Sequence, residues 1–476
     1  MKSNFSNKPF FWCFSTYFTE GFPYGIVRIL SSVFFTDIGM KEKYLGYLNF
    51  LGIPWNLKFL WAPLVDIYGN KRTWMIITQS IIFLLTFAIS MICFFANKFY
   101  FFQLSESILI FLFIILAFIS ATNDIIIDGY YIEGLKDPKE QAAYTGYRVF
   151  AYRIALVFAK FGIVYIVGIL SKKIANGNMY LAWGYGFLSA SIIMGLFSIY
   201  HFLFLPDFDE KEKIKKSLKT AYNGFIDSFA SYLEISRKRT ILSLFSGLFI
   251  LLITFTILLF IISDPIKSLG YSLIALLLVF IIQAKPEIAL SLIFIIFYKI
   301  GDEIIFSMGT PFLKRYLLVS NTQFAWLSGI LGLLGSIVGT SIGGIWIKKK
   351  GLKKSIWPLT LLMNLNIWAY IWLAWSHPTA TTFSGLLIIS SVYCYEQIAA
   401  GLGNAALIVY ILRTCKSEFK SGHYAIGSAF MSIFSTVFGG FSGIIVESLG
   451  YLNLFLIGFL ATIPAMGLLF FVKIKD

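Results

Sequence analysis

Apolar residues fall into runs of about 20 separated by short charged or Gly/Pro/Asn-containing breaks, the length that carries a helix across a bilayer. The runs occupy 10–36, 44–65, 73–96, 105–132, 142–170 and 180–205, then 241–262 and 267–284, then 287–310, 323–347, 356–375, 382–412, 421–446 and 450–472. Between the sixth and seventh lies 206–240, which holds the charged run DFDEKEKIKKSLK and the cluster Arg237-Lys238-Arg239 and so reads as a domain linker. The pattern predicts an all-α membrane protein of fourteen spans. They are arranged as a six-helix bundle over 1–205, a cytoplasmic linker over 206–240, two inserted helices over 241–284 and a second six-helix bundle over 285–476. For the linker two readings stay open, an amphipathic helix lying on lipid and a solvated tether.

Composition removes the soluble alternatives. The 476 residues are 58% hydrophobic and 13% charged, against about 25% charged in soluble chains. The first run carries Glu20 and Arg28 and has no small-residue cleavage site, so it is expected to stay as a span. A net charge of +15 would suit nucleic acid, but the basic residues lie in short loops, which membrane topology explains. With both termini cytoplasmic, roughly 25 Lys/Arg fall inside and roughly eight outside, as the positive-inside rule requires. The four cysteines form no C-x-x-C pair and the three histidines no cluster, so neither a metal nor a cofactor is expected.

Charges inside the spans carry the candidate chemistry. A charge at the bilayer centre costs about 3 kcal/mol by insertion scales, so such residues are expected to line a water-filled path or to pair. Asp124 and Asp128 sit four apart in the string NDIIIDGYY and share one helix face. Each has two readings, a proton carrier or a structural salt bridge to Arg148 or Arg153. Glu20 lies in the Gly/Pro-rich string EGFPYG of the first span, and Asp302 beside Gly301 in the span 287–310. Broken spans at matching places in two halves point to a midplane binding site. Glu396 is a further polar acid at depth. These five carboxyls are the candidates for proton coupling. Arg28, Lys58, Arg153, Lys160 and Lys299, with Gln397 beside Glu396, are the candidates for binding an anionic substrate, since guanidinium and ammonium groups pair with carboxylates. Tyr17, Tyr24, Trp55, Tyr131 and Tyr152 are candidates for stacking on sugar rings.

An internal repeat marks two halves. Ala62-Pro63-Leu64-Val65-Asp66-Ile67-Tyr68-Gly69-Asn70-Lys71-Arg72 has a small residue, acid, glycine and base at offsets that recur in Gly344 to Lys353, where lysine replaces the acid. The first copy resembles the loop motif of the major facilitator superfamily. That resemblance implies a major facilitator fold in which Asp66, Gly69, Lys71 and Arg72 gate one face by locking neighbouring helices. The longer string GIPWNLKFLWAPLVD over 52–66 resembles the AmpG muropeptide permeases and the related acetyl-CoA transporters. In the second half, YKIGDE at 298–303, TPFL at 310–313, EQIAAGLGNAA at 396–406 and YAIGSA at 424–429 resemble AmpG. The resemblance implies a proton-coupled importer of N-acetylglucosaminyl-anhydro-N-acetylmuramyl peptides in an inner membrane, acting as a monomer, with carriage of acetyl-CoA or another anionic metabolite as the alternative. No Walker-type phosphate loop is present, and the large loops that a membrane enzyme would need are absent.

Overall fold

The computed structural model describes residues 8–67, 70–96, 102–208 and 218–474, and among these there are helices and no strands. Among the described residues ten helices are long and apolar enough to cross a membrane: Lys71–Phe95, Ser105–Gly134, Lys139–Lys173, Met179–Phe204, Arg237–Ile262, Pro265–Gln283, Asn321–Lys350, Leu352–Ser376, Phe383–Thr414 and Gly422–Leu468. The last is two helices joined at Gly450, whose φ of 81° is the left-handed conformation that glycine adopts without strain. The segments 9–37, 42–67 and 286–316 are also helical but interrupted by π-turns, 3-10 turns or single non-helical residues.

The chain divides into two compact units. One comprises Met1–Gly39, Leu57–Leu218 and Ser320–Ile330, and the other Met40–Asn56, Lys219–Val319 and Leu331–Asp476. The boundary therefore falls inside the apolar runs 44–65 and 323–347, each of which contributes to both units.

In the first unit, helix Lys71–Phe95 packs on Met179–Phe204 and on Phe102–Gly134, and Pro9–Gly25 packs on Pro138–Val157. Trp12, Tyr17, Met75, Ile126 and Tyr130 form a buried core at one end of these helices. The approach of the first helix is set by Gly21 and Gly25, one turn apart. A Cβ on Gly21 would lie 2.7 Å from the carbonyl oxygen of Tyr152, and one on Gly25 2.8 Å from the Cβ of Ala159. Small residues at this spacing let two membrane helices touch backbone to backbone.

In the second unit the same device is longer. Gly335, Gly339 and Gly343 line one face of Gly332–Lys350 against Phe383–Thr414, and a Cβ on Gly339 would fall 2.1 Å from the carbonyl oxygen of Ile398. Gly351, the repeated glycine of the second loop motif, ends that helix with a φ of 76°.

Over the residues described the linker is helical and packed on protein. Leu218–Leu233 is a helix docked on the second unit, with Phe229 against Phe280 and Tyr232 against His423. Glu234 just beyond it takes Lys285 at 2.7 Å and Lys416 at 3.1 Å. Hydrogen bonds from both lysines hold its carboxyl below the usual carboxylate range.

The inserted pair Arg237–Ile262 and Pro265–Gln283 is tied down at its turn as well. Asp264 caps the second helix through the N–H groups of Ile266 and Lys267 and accepts from Lys43 at 2.8 Å and the Tyr47 hydroxyl at 2.7 Å. Burial works to raise its pKa, but the hydrogen bonds from Lys43 and Tyr47 outweigh it and hold the carboxyl below its ordinary 3.8. A depressed carboxylate stabilises the fold above its unfolded-state pKa and loses that effect as pH falls through the folded-state value. Asp264→Asn is therefore expected to lower stability by about 1–2 kcal/mol at pH 7, with the difference shrinking below pH 3.8. Thermal unfolding of the full chain in detergent measures this, and equal unfolding temperatures at pH 7 would refute it.

Candidate charge cluster in the first unit

Pro23, inside the first helix, has no N–H for the turn before it, and the backbone widens just beyond into a π-turn at Ile26–Leu30 that carries Arg28. A second π-turn, Phe158–Ile163, carries Lys160 and packs against the first. The break expected around Glu20–Gly25 is thus a widened turn and not an interruption of the helix.

The second apolar run reaches the cluster through a 3-10 turn, Lys58–Leu60. From it the Lys58 ammonium donates to Asp124, making the ion pair that salt-bridge reasoning had assigned to Arg148 or Arg153. Arg148 instead faces Asp128, at 3.8 Å. Tyr17 joins these two, donating to Asp128 at 2.9 Å and accepting from Arg148 at 3.1 Å, while the guanidinium lies 5.0 Å from the Tyr17 ring and 5.2 Å from that of Tyr131. Tyr17 is therefore committed to the ion pair rather than left for a ligand to stack on. Glu20 completes the group: it lies next to Asp124 and within electrostatic reach of Asp128 and Lys58, and its Oε2 is buried with no hydrogen-bond partner. Three carboxyls thus share two cations.

The loop motif is partly within view. Lys71 is buried and donates to the carbonyl of Val65 at 2.8 Å, Arg72 donates to the carbonyl of Phe202 at 2.8 Å, and Asn70 caps helix Lys71–Phe95. Both bases therefore bind the backbones of neighbouring helices. Gly69 and the Asp66 side chain lie outside the described residues.

In the second unit the candidates are dispersed. Lys299, with φ −104°, interrupts the helix between Pro286–Tyr298 and Ile300–Pro311 and stands 3.8 Å from Asp302. The break falls at Lys299 and not at Gly301, which packs against Ile367. Glu396 is buried and accepts from Gln397 at 2.7 Å. No group of three His, Cys, Asp or Glu among the described residues is placed to hold a metal ion.

The fold is that of the major facilitator transporters. A POT family transporter solved in complex with 5-aminolevulinic acid matches with a TM-score of 0.65 at 16% identity, over 97% of this chain and 95% of its own. A bacterial homologue of the human lysosomal transporter Spinster, inward-facing and unoccupied, matches with a TM-score of 0.64 at 14% identity, over 98% and 97%. The chain is a multi-pass membrane protein that shares the fold of these solved transporters. Its sequence is similar along nearly the whole length to a Rickettsia felis protein named "Putative transporter AmpG 4", at 25% identity over 96% of this chain and 94% of that one. Residues 10–151 match the family described as Acetyl-coenzyme A transporter 1.

Removing one member of the Lys58–Asp124 pair should be worse than removing both. Lys58→Met leaves a carboxylate uncompensated, at a cost of about 2–4 kcal/mol for this partly exposed pair. Lys58→Met with Asp124→Asn should recover most of the folded yield, read by size-exclusion profile and unfolding temperature in detergent. A double variant as unstable as the sum of the singles would show that the two do not act as a pair.

Proposed function

We propose that the chain is a proton-coupled importer of N-acetylglucosaminyl-anhydro-N-acetylmuramyl peptides, working as a monomer in an inner membrane with both termini cytoplasmic. The observation that carries coupling is the imbalance in the first unit, where Glu20, Asp124 and Asp128 share Lys58 and Arg148. A carboxylate without a counter-charge is expensive at membrane depth, and a proton is the simplest neutraliser. Binding and release of that proton changes which cation each remaining acid holds, so protonation is coupled to the arrangement of four helical segments.

The similarity to AmpG-named transporters over nearly the whole chain supports the muropeptide as cargo. The peptide carboxylates of such a ligand suit Arg28 and Lys160 on their adjoining π-turns, with Arg153 and Lys299 as further basic partners. Asp66, Gly69, Lys71 and Arg72 act as the gate of one face, a role that the backbone hydrogen bonds of Lys71 and Arg72 favour. Asp302 and Glu396 are the second-unit alternatives for the proton. A second cargo, acetyl-CoA, is kept by the family match over 10–151.

Uptake of labelled muropeptide into proteoliposomes under an imposed pH gradient, with acetyl-CoA as competitor, decides between the cargoes. Accumulation of muropeptide that acetyl-CoA does not inhibit is expected, and the reverse pattern would establish the alternative. Glu20→Gln mimics a permanently protonated carboxyl. It is expected to abolish gradient-driven accumulation while keeping counterflow exchange. If Glu20→Gln, Asp128→Asn and Asp302→Asn all still accumulate cargo in response to the gradient, the coupling assignment is wrong.

A further inference from the structure

His201 is fully buried in helix Met179–Phe204, and the ion pairs described above make no use of it. Its ring lies between two polar partners, with Nδ1 2.7 Å from Gln79 Oε1 and Nε2 3.0 Å from Ser15 Oγ. Gln79 continues the chain by donating from Nε2 to the Thr19 hydroxyl at 2.9 Å. The direction of every bond follows. Thr19 spends its own proton on the carbonyl of Thr16 at 2.8 Å, so toward Gln79 it accepts. The Gln79 amide nitrogen therefore faces Thr19 and its carbonyl faces His201, which requires Nδ1 to carry the proton. Nε2 then has a lone pair facing Ser15, whose single hydroxyl proton is shared between this nitrogen at 3.0 Å and the Trp12 carbonyl at 3.2 Å.

The chain ends where the first helix is weakest. Thr19 is four residues before Pro23, which has no N–H to give its carbonyl. Asn123 supplies the missing donor, with Nδ2 3.0 Å from the Thr19 carbonyl and Oδ1 3.1 Å from the Thr78 hydroxyl. Thr19, Gln79, Asn123 and His201 are each 0% exposed. The residues that follow the two joined positions are Glu20 and Asp124, the adjacent acids of the cluster.

We infer that Asn123, Gln79 and His201 are positioning residues for the carboxyl cluster: they pin the proline-freed carbonyl and the hydroxyl of Thr19, and so set Glu20 against Asp124. The inference rests on reading that cluster as the proton site. It also gives the string NDIIID its first residue: Asn123 completes the backbone of a neighbouring helix so that Asp124 can meet an acid there. A purely structural network would stabilise the bundle without affecting the protonation of Glu20, and that difference can be measured. The groups that bear on Glu20 are Asp124 and Asp128 from helix Phe102–Gly134, Lys58, Arg148 and Tyr152 from Pro138–Val157, and Tyr17 on its own helix.

The test is the pH midpoint at which dicyclohexylcarbodiimide, which reacts with protonated carboxyls in apolar surroundings, labels Glu20 in the detergent-purified full chain, read by mass spectrometry. Asn123→Ala and His201→Phe should move that midpoint by about one pH unit, the change that a lost buried hydrogen bond produces. His201→Gln, whose amide can still donate to Gln79, should keep it. Asn123→Ala alone leaves the Thr19 carbonyl unpaired and puts folding at risk. Asn123→Ala with Pro23→Ala restores a backbone donor within the first helix, and its midpoint should stay shifted even though folding is regained. A native midpoint in Asn123→Ala and His201→Phe, or a return to it in the double variant, would reduce the network to packing and overturn the inference, and a shifted midpoint in His201→Gln would remove His201 from it. The label needs no cargo, so a failure of muropeptide uptake would count against the proposed transport and not against this positioning role.

Discussion

Charge at membrane depth has to be matched, and much of the first unit's local geometry follows from that requirement. Lys58 arrives on a 3-10 turn where a regular helix would rotate its side chain elsewhere. Arg148 is held by ring faces as well as by Asp128, so its guanidinium keeps favourable contacts if that carboxylate changes partner. Tyr17 both donates to the acid and accepts from the base, which ties the two together. Each of these features costs helix regularity or side-chain freedom. Together they keep ionisable groups in a setting that would otherwise expel them.

Both units bring helices together at glycines, and in the second the glycines form an extended seam. Where no charge has to be placed, glycine seams bring backbones together over long stretches, as Gly335, Gly339 and Gly343 do. Where charge is present the helices are irregular, with π-turns bearing Arg28 and Lys160 and a single non-helical residue at Lys299. A π-turn inserts one residue into the helical register and redirects the side chains beyond it, so it can aim a long basic residue without unwinding the span.

Much of this was legible in the chain itself. Apolar run length marked where helices form, because bilayer thickness dictates it, and the i, i+4 spacing of Asp124 and Asp128 put them on one face. Pairing was less legible. Periodicity says which way a residue points along its own helix but not which helix stands opposite, so Asp124 was matched to Arg148 or Arg153 although Lys58 is its partner. His201 carried no signal in the sequence because its partners Gln79 and Ser15 are far away along the chain. The docking of Leu218–Leu233 was hidden for the opposite reason, since an amphipathic face looks the same whether lipid or protein covers it. The break in the span 287–310 falls two residues before the expected Gly301, which serves close packing there.

The distribution of acids between the units bears on where the proposed proton coupling resides. In the second unit Glu396 accepts from the Gln397 amide and Asp302 stands 3.8 Å from the adjacent Lys299. In the first unit Glu20, Asp124 and Asp128 feel one another and the same two cations, and the five charged residues come from four helical segments. A proton arriving at any one of the three alters the partners of the rest. Coupling requires that a local protonation change the preferred arrangement of distant elements. A shared and incompletely matched cluster meets that requirement.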